Sequence, residues 1–313
     1  MLIQRIRTNI FARILTEMDV KGFPTDYWGK FSEGGDGPEW LPLLDHMTDV
    51  AACFEKLVEA GHREALAAAA GLHELSRTQV SRLIVLAFLH DLGKGNAGFQ
   101  SKIFSETMGM PKPAGHVFEA LPLIFSPPGL KFISMFESST RWFSSGNEDG
   151  VIALMRMLIC SYSHHGKPVS FSFQNRAASK RDLDAVKWSG WKYLDLDRLL
   201  RSARQTAERN WHDAFHQCDD PIPLTPAFME AFNGLLTLAD WMGSDSRHFA
   251  FDTPDGFGDR ADFSAVTAER LLRGIGIVHS EDDFEDVEFL DVFGFQPNAM
   301  QQAMVTSSTA VLQ

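Results

Sequence analysis

His46, His90, Asp91, His116, His164, His165 and Asp240 each sit in or beside a stretch that reads as an apolar helix. A single histidine on an apolar face is ordinarily a hydrogen-bonded core residue. Burying several imidazoles and two carboxylates together is costly unless something compensates them, and a divalent cation compensates them all at once. Neutral imidazole nitrogen and carboxylate oxygen, with no thiolate, suit Mn, Fe, Co, Ni or Zn. Neighbours on a helix point about 100° apart, so His90 and Asp91 can grip an ion together only near a helix end. Gly93 supplies that end. Asp91 has two oxygens and is the natural shared ligand of a dinuclear centre, whose chemistry is the hydrolysis of phosphoesters.

The elements that must position these residues read as mostly helical, because long segments repeat apolar residues at helical spacing and few alternate as strands do. A Gly-rich loop is predicted over Ser32 to Pro38, then a helix from Leu43 to Ala60 stopped by Gly61. His46 and Asp49 share one face of that helix. A second helix is predicted from Arg77 to Leu92, its run LIVLAFL leading directly into His90 and Asp91. A short helix is expected to carry His116 and Glu119 before a break at Pro127 and Pro128. Asp149 to Ser163 reads as a buried helix ending in His164 and His165, and Thr225 as the N-cap of a helix running to Asp240 and stopped by Gly243.

Length and charge narrow the classes further. A chain of 313 residues that is 44% hydrophobic can bury one large core or two modest ones, which excludes disordered and disulfide-scaffold classes. Its net charge of −12 gives no overall field toward nucleic acid, so any such contact must be local. Much of the acidity lies in Glu281, Asp282, Asp283, Glu285, Asp286, Glu288 and Asp291, and residues 274–313 hold no Lys or Arg. Cys53, Cys160 and Cys218 form no CxxC pair, which fits a reducing cytoplasm. The apolar run Leu83 to Leu89 is far short of the roughly 20 residues of a membrane span. Residues 167–204 are locally basic and include Lys180, Arg181, Lys187, Trp188 and Trp191, a composition suited to holding and stacking single strands. Phe99 and Gln100 are candidates to line the same cleft.

The order His, HD, His, HH, Asp is that of the HD superfamily of metal-dependent phosphohydrolases. The local wording is narrower: Trp28-Gly29-Lys30, PLLDHMTDVA, FLHDLGKGNAGFQ, SHHG and LLTLADWMGSD. Across roughly residues 15 to 250 it resembles the nuclease domain of the CRISPR-associated nuclease-helicase of type I systems. The resemblance implies an all-α HD domain with a dinuclear metal centre, residues 1–273, followed by an acidic linker and helicase lead-in, residues 274–313. It implies His46, His90, Asp91 and Asp240 as ligands of one ion and Asp91, His116, His164 and His165 as ligands of the other. His62 or His73 could stand in for His116, and Asp245 for Asp240. Lys94 would meet the scissile phosphate as a point charge, with Asp91 the central catalytic residue, and Ser244 would hydrogen-bond near the ions.

The resemblance further implies two divalent transition-metal ions (Fe, Mn, Ni or Co), a single-stranded DNA substrate, and recruitment by an RNA-guided surveillance complex. The family is normally joined to an ATP-driven helicase. Here Phe295 to Gln301 resembles the helicase lead-in, but no GxxxxGK[ST] phosphate loop follows, so no ATP site is expected in these residues. The chain is expected to be either a shortened form or a nuclease encoded apart from its motor. The competing readings are an HD phosphohydrolase of nucleotides or cyclic dinucleotides, and a binding module with a vestigial metal site.

Overall fold

The computed structural model describes residues 26–34, 37–103, 111–125, 127–144, 146, 150–165, 195–217, 220–278, 290 and 294–302. The chain divides into two compact units, residues 1–272 and 273–313. The first unit is all-α in class, with two small strand pairs. It opens on an antiparallel hairpin, β1 (Trp28–Gly34) and β2 (Gly37–Pro42), where a Gly-rich loop was expected over Ser32 to Pro38. Gly34 and Gly37 are paired with each other at the facing ends of the two strands.

Helix α1 (Leu43–Leu57) buries the stripe Leu43, Met47, Val50, Phe54 and Leu57. It passes into one π turn (Val58–His62), in which Gly61 takes φ of 108°, and continues as α2 (Arg63–Ala70). Gly61 therefore turns the chain as expected, because a side chain there would strain the backbone. Helix α3 (Arg77–Phe88) starts at a capping box: Ser76 Oγ accepts from Gln79 N–H and Gln79 Oε1 accepts from Ser76 N–H. Its residues Leu83 to Phe88 are all buried, so it is the central helix of the domain. The α-helix ends at Phe88, not Leu92, and the chain tightens into a 3-10 segment, Leu89–Gly95.

The short α4 (Ala97–Gln100), α5 (Pro122–Phe125) and α6 (Pro127–Met135) follow. Pro127 and Pro128 open a helix instead of breaking the chain, since Pro suits the first turn, where its missing N–H is no loss. His116 lies in a bend before a 3-10 turn, Phe118–Ala120, and not in a helix. After β3 (Phe143–Ser144) come α7 (Gly150–Tyr162), α8 (Leu196–Asn210) and β4 (Ile222–Pro223), which pairs in parallel with β3. Helix α9 (Pro226–Gly243) is capped by Thr225, whose Oγ1 accepts from Phe228 N–H at 3.0 Å. It buries Phe228, Phe232, Leu235 and Leu236, with Phe232 against Phe54 of α1. Gly243 ends α9 where a Cβ would come within 2.8 Å of the Val50 backbone, so only glycine lets the two helices approach this closely.

Helix α10 (Arg260–Gly274) is tied to α1 by a buried ion pair. Arg260 donates from Nε and Nη2 to Asp49 at 2.9 and 2.6 Å, and Ser264 Oγ donates to the same carboxylate at 2.6 Å. Asp49, which shares a helical face with His46 in sequence, is thus committed to fastening α10. Burial pushes its carboxyl above the ordinary range against the pull of Arg260, so desolvation is only partly offset by the pair. Arg260→Met alone should therefore destabilise by about 3–5 kcal/mol, while Asp49→Leu added to it should recover part of the loss. Urea denaturation of the two variants checks this, and a double variant less stable than Arg260→Met would disprove the coupling. Among the described residues no helix is long and apolar enough to cross a membrane.

Candidate metal centre

Two groups of donors meet at the end of α3. The ligand-type atoms of His46, His90, Asp91 and Asp240 lie within 4.8 Å of one another, as do those of His116, His164 and His165. Asp91 joins the groups through different oxygens. Its Oδ2 lies 2.9 Å from His46 Nε2 and 3.4 Å from His90 Nε2, while Oδ1 lies 3.1 Å from His116 Nε2 and 3.5 Å from His164 Nε2. Asp240 Oδ1 is 3.5 Å from His90 Nε2, and His165 Nε2 is 2.9 Å from His116 Nε2. The structure thus brings together all seven of these residues, from α1, the 3-10 end of α3, the bend at His116, the turn after α7, and α9.

The backbone explains the convergence. Tightening to 3-10 after Phe88 lets the adjacent His90 and Asp91 face one point, which a regular helix forbids. His90 Nδ1 bonds the Ala87 carbonyl at 2.8 Å and His164 Nδ1 the Ser161 carbonyl at 2.9 Å, so each ring turns Nε2 into the cluster. In the neutral ring such a bond fixes the tautomer that leaves Nε2 with a lone pair. Thr237 Oγ1 donates to the His164 carbonyl at 2.8 Å, fastening the HH turn to α9. A Cβ on Gly29 would approach the His46 Cβ to 2.9 Å, and one on Gly93 would run into the His116 carbonyl. Asn96 Nδ2 donates at 2.8 Å to both Gly93 and Gly115 carbonyls, holding the loop that carries His116.

The electrostatics fit a cation. Burial pushes His46 down to about 3 and His164 to about 4, helped by Lys94 and His90 respectively, so both are neutral donors near pH 7. Burial alone would raise Asp91, yet Lys94, His90 and His116 hold it well below the carboxylate range. Asp240 is likewise lowered against its burial by His90. His90 runs the other way: burial lowers it, but Asp91 and Asp240 carry it up to about 9, a proton standing where positive charge is wanted. His90 Nε2 and His164 Nε2 are buried with no hydrogen-bond partner. Inward-facing unsatisfied nitrogens beside two carboxylates, with no thiolate, are a donor set that fits a transition-metal ion.

Other expected residues fall variously. Lys94 Nζ lies 2.6 Å from Asp91 Oδ2 and donates to the Gly29 carbonyl at 3.1 Å. Ser244 Oγ donates to Asp240 Oδ1 at 3.2 Å. Asp245 turns outward to Arg247, and His62 and His73 are exposed away from the cluster, so none of the three substitutes for Asp240 or His116. Gln100 does not line a cleft: it is buried, accepts from Trp28 N–H, and donates to the Trp28 and Lys94 carbonyls, clasping the hairpin to the HD segment. Phe99 stacks on Trp28 and meets the edge of His116. Lys180, Arg181, Lys187, Trp188 and Trp191 lie outside the described residues. The bracing roles of Gly29, Asn96 and Gln100 are not evident from sequence, although all three stand within the motifs WGK and GKGNAGFQ.

A helical domain whose central helix ends in a His-Asp pair, gathered with His and Asp from other helices, defines the HD class. The family model described as "Cas3, HD domain" matches residues 28–249, and the chain belongs to that family. Comparison with curated protein sequences gives no match. Among solved structures, a CRISPR-associated protein is 22% identical with a TM-score of 0.55, the match covering 87% of this chain and 29% of that one. Cas3 of T. fusca with ATP is 20% identical at a TM-score of 0.51, covering 90% and 30%. A CRISPR RNA-guided surveillance complex in its pre-nicking state is 19% identical at 0.50, covering 93% and 32%. The likeness is one of fold, and the chain spans less than a third of each of these proteins.

The Gly93 contact gives a separable test of the two groups. Gly93→Ala should push the His116 loop away while leaving His46, His90 and Asp240 in place, weakening metal retention by about 10- to 100-fold at one site only. Calorimetric titration checks this; equal weakening of both sites, or of neither, would contradict the geometry.

Proposed function

We propose that this chain is a metal-dependent nuclease that hydrolyses phosphodiester bonds of single-stranded DNA in type I CRISPR interference. The observation that carries the reading is Asp91, whose two oxygens face two different sets of histidines. His46, His90, Asp240 and Asp91 Oδ2 would hold one divalent ion, and His116, His164, His165 and Asp91 Oδ1 a second, drawn from Fe, Mn, Ni or Co. When bound, such ions supply Lewis acidity and an activated water. The protein's own part is positional. Asp91 and Asp240 hold anionic charge in a buried site, the neutral His46 and His164 donate lone pairs, and Lys94 sets a fixed positive charge beside Asp91 for the scissile phosphate. Lys30, pushed down to about 8 by burial, donates to the Gly243 carbonyl at 2.9 Å and braces the end of α9 behind Asp240.

The rest of the reading extends from the family. Residues 1–273 act as the nuclease and 274–313 as the linker and lead-in to a helicase, with the RNA-guided surveillance complex delivering the displaced strand. Buried free thiols at Cys53 and Cys160 suit a cytoplasmic setting. The strand path is proposed along Lys180, Arg181, Lys187, Trp188 and Trp191.

The test is cleavage of circular single-stranded DNA against free nucleotides and cyclic dinucleotides, with Mn, Fe, Ni or Co added and no ATP. The strand should be cut, and His164→Ala should slow cutting by about 10²–10³-fold, as expected when several kcal/mol of ion-supplied stabilisation are lost. Turnover of nucleotides with the strand left whole would favour the phosphohydrolase alternative. Reversing Lys180, Arg181 and Lys187 should weaken strand binding and flatten its salt dependence by about one counterion per contact. Unchanged affinity across a salt series would refute that path.

A further inference from the structure

A third group of metal-type donors lies outside the HD centre. The ligand atoms of His212, Asp213 and His216 are within 4.8 Å of one another, on the 3-10 turn His212–Phe215 and the residue after it. The turn is anchored from beneath: Trp211 and Ala214 are buried, and Trp211 packs on Phe88 and donates to Glu55 at 3.2 Å. The two histidine side chains point outward, 66% and 61% exposed. His216 leaves the turn in extended conformation, which brings its ring back toward Asp213.

Asp213 divides its oxygens between two tasks. Oδ2 takes Arg77 Nε at 2.5 Å, while Oδ1 lies 3.1 Å from His212 Nε2 and 3.6 Å from His216 Nδ1. A transition ion bonds imidazole nitrogen and carboxylate oxygen at about 2.0–2.2 Å, which places adjacent ligand atoms about 3–3.5 Å apart at tetrahedral or octahedral angles. Asp213 already stands near that spacing from each histidine, the three ligand atoms lie within 4.8 Å of one another, and the exposed imidazoles can close the remainder by side-chain rotation. We propose that His212, Asp213 and His216 form a third divalent-metal site, of the two-imidazole, one-carboxylate kind that takes Zn, Ni or Cu. Arg77 opens α3, whereas His90 and Asp91 follow its other end. The new site shares no ligand with the HD centre. An ion there would fasten the turn and add stability by mass action.

The test uses the full 313-residue chain. Elemental analysis after equilibration with Ni or Zn should give one equivalent fewer in His212→Ala/His216→Ala than in the parent, with strand cleavage within about twofold. In an Asp91→Ala background one ion should remain bound, raise the melting temperature, and be lost when the two histidine changes are added. His216→Gln, which keeps the side chain's bulk and polarity, should also lose this ion and serves as a check against misfolding. Equal metal content in parent and double variant, or an Asp91→Ala chain that binds no ion and shows no metal-dependent melting shift, would overturn the site. Neither result depends on the substrate of the HD centre.

Discussion

A carboxylate buried among imidazoles, Asp91 at the end of the central helix, is the constraint around which this domain is arranged. Its charge cannot be left uncompensated in an interior site, so histidines and a lysine gather on it from four separate parts of the chain. Because each of its oxygens meets a different group, Asp91 joins two potential sites into one centre. The price of that burial is visible in His90, which is raised toward protonation by the same two carboxylates that would otherwise hold a cation.

Close packing follows from this demand. The histidines reach Asp91 only if the hairpin, the HD segment, the His116 loop and α9 approach nearly to backbone contact, and glycines stand where they do. Gly29 admits the His46 side chain, Gly93 admits the His116 carbonyl, and Gly243 admits Val50. Polar braces fix what the glycines permit: Gln100 binds hairpin to HD segment, and Asn96 binds the HD segment to the His116 loop. Further out, the Asp49–Arg260 pair closes α10 over α1 from beyond the stretch matched by the family model.

The legible parts of the sequence were those set by local chemistry. The start of α1 at Leu43, the Thr225 cap, the stop at Gly243 and the need for a relaxed helix end at His90 and Asp91 all follow from nearby residues, and the structure has each of them. The hairpin was hidden because Gly34 and Gly37, which pair at its strand ends, read equally well as parts of a loop. The bend at His116 was hidden because GHVFEAL has helical composition, while tertiary bonds from Asn96 hold its start in a non-helical conformation. Asp49's partner lies 211 residues away, a distance at which no periodicity speaks. The His212, Asp213 and His216 group went unread because its donors converge only after the chain turns at His216.

Whether Asp91 bridges two ions is measured most directly by anomalous scattering from crystals of the chain equilibrated with Mn. Two peaks should lie at the end of the central helix, each about 2.2 Å from a different oxygen of Asp91, one beside His46, His90 and Asp240 and the other beside His116, His164 and His165. A single peak there, or two peaks of which only one touches Asp91, would contradict the bridging role.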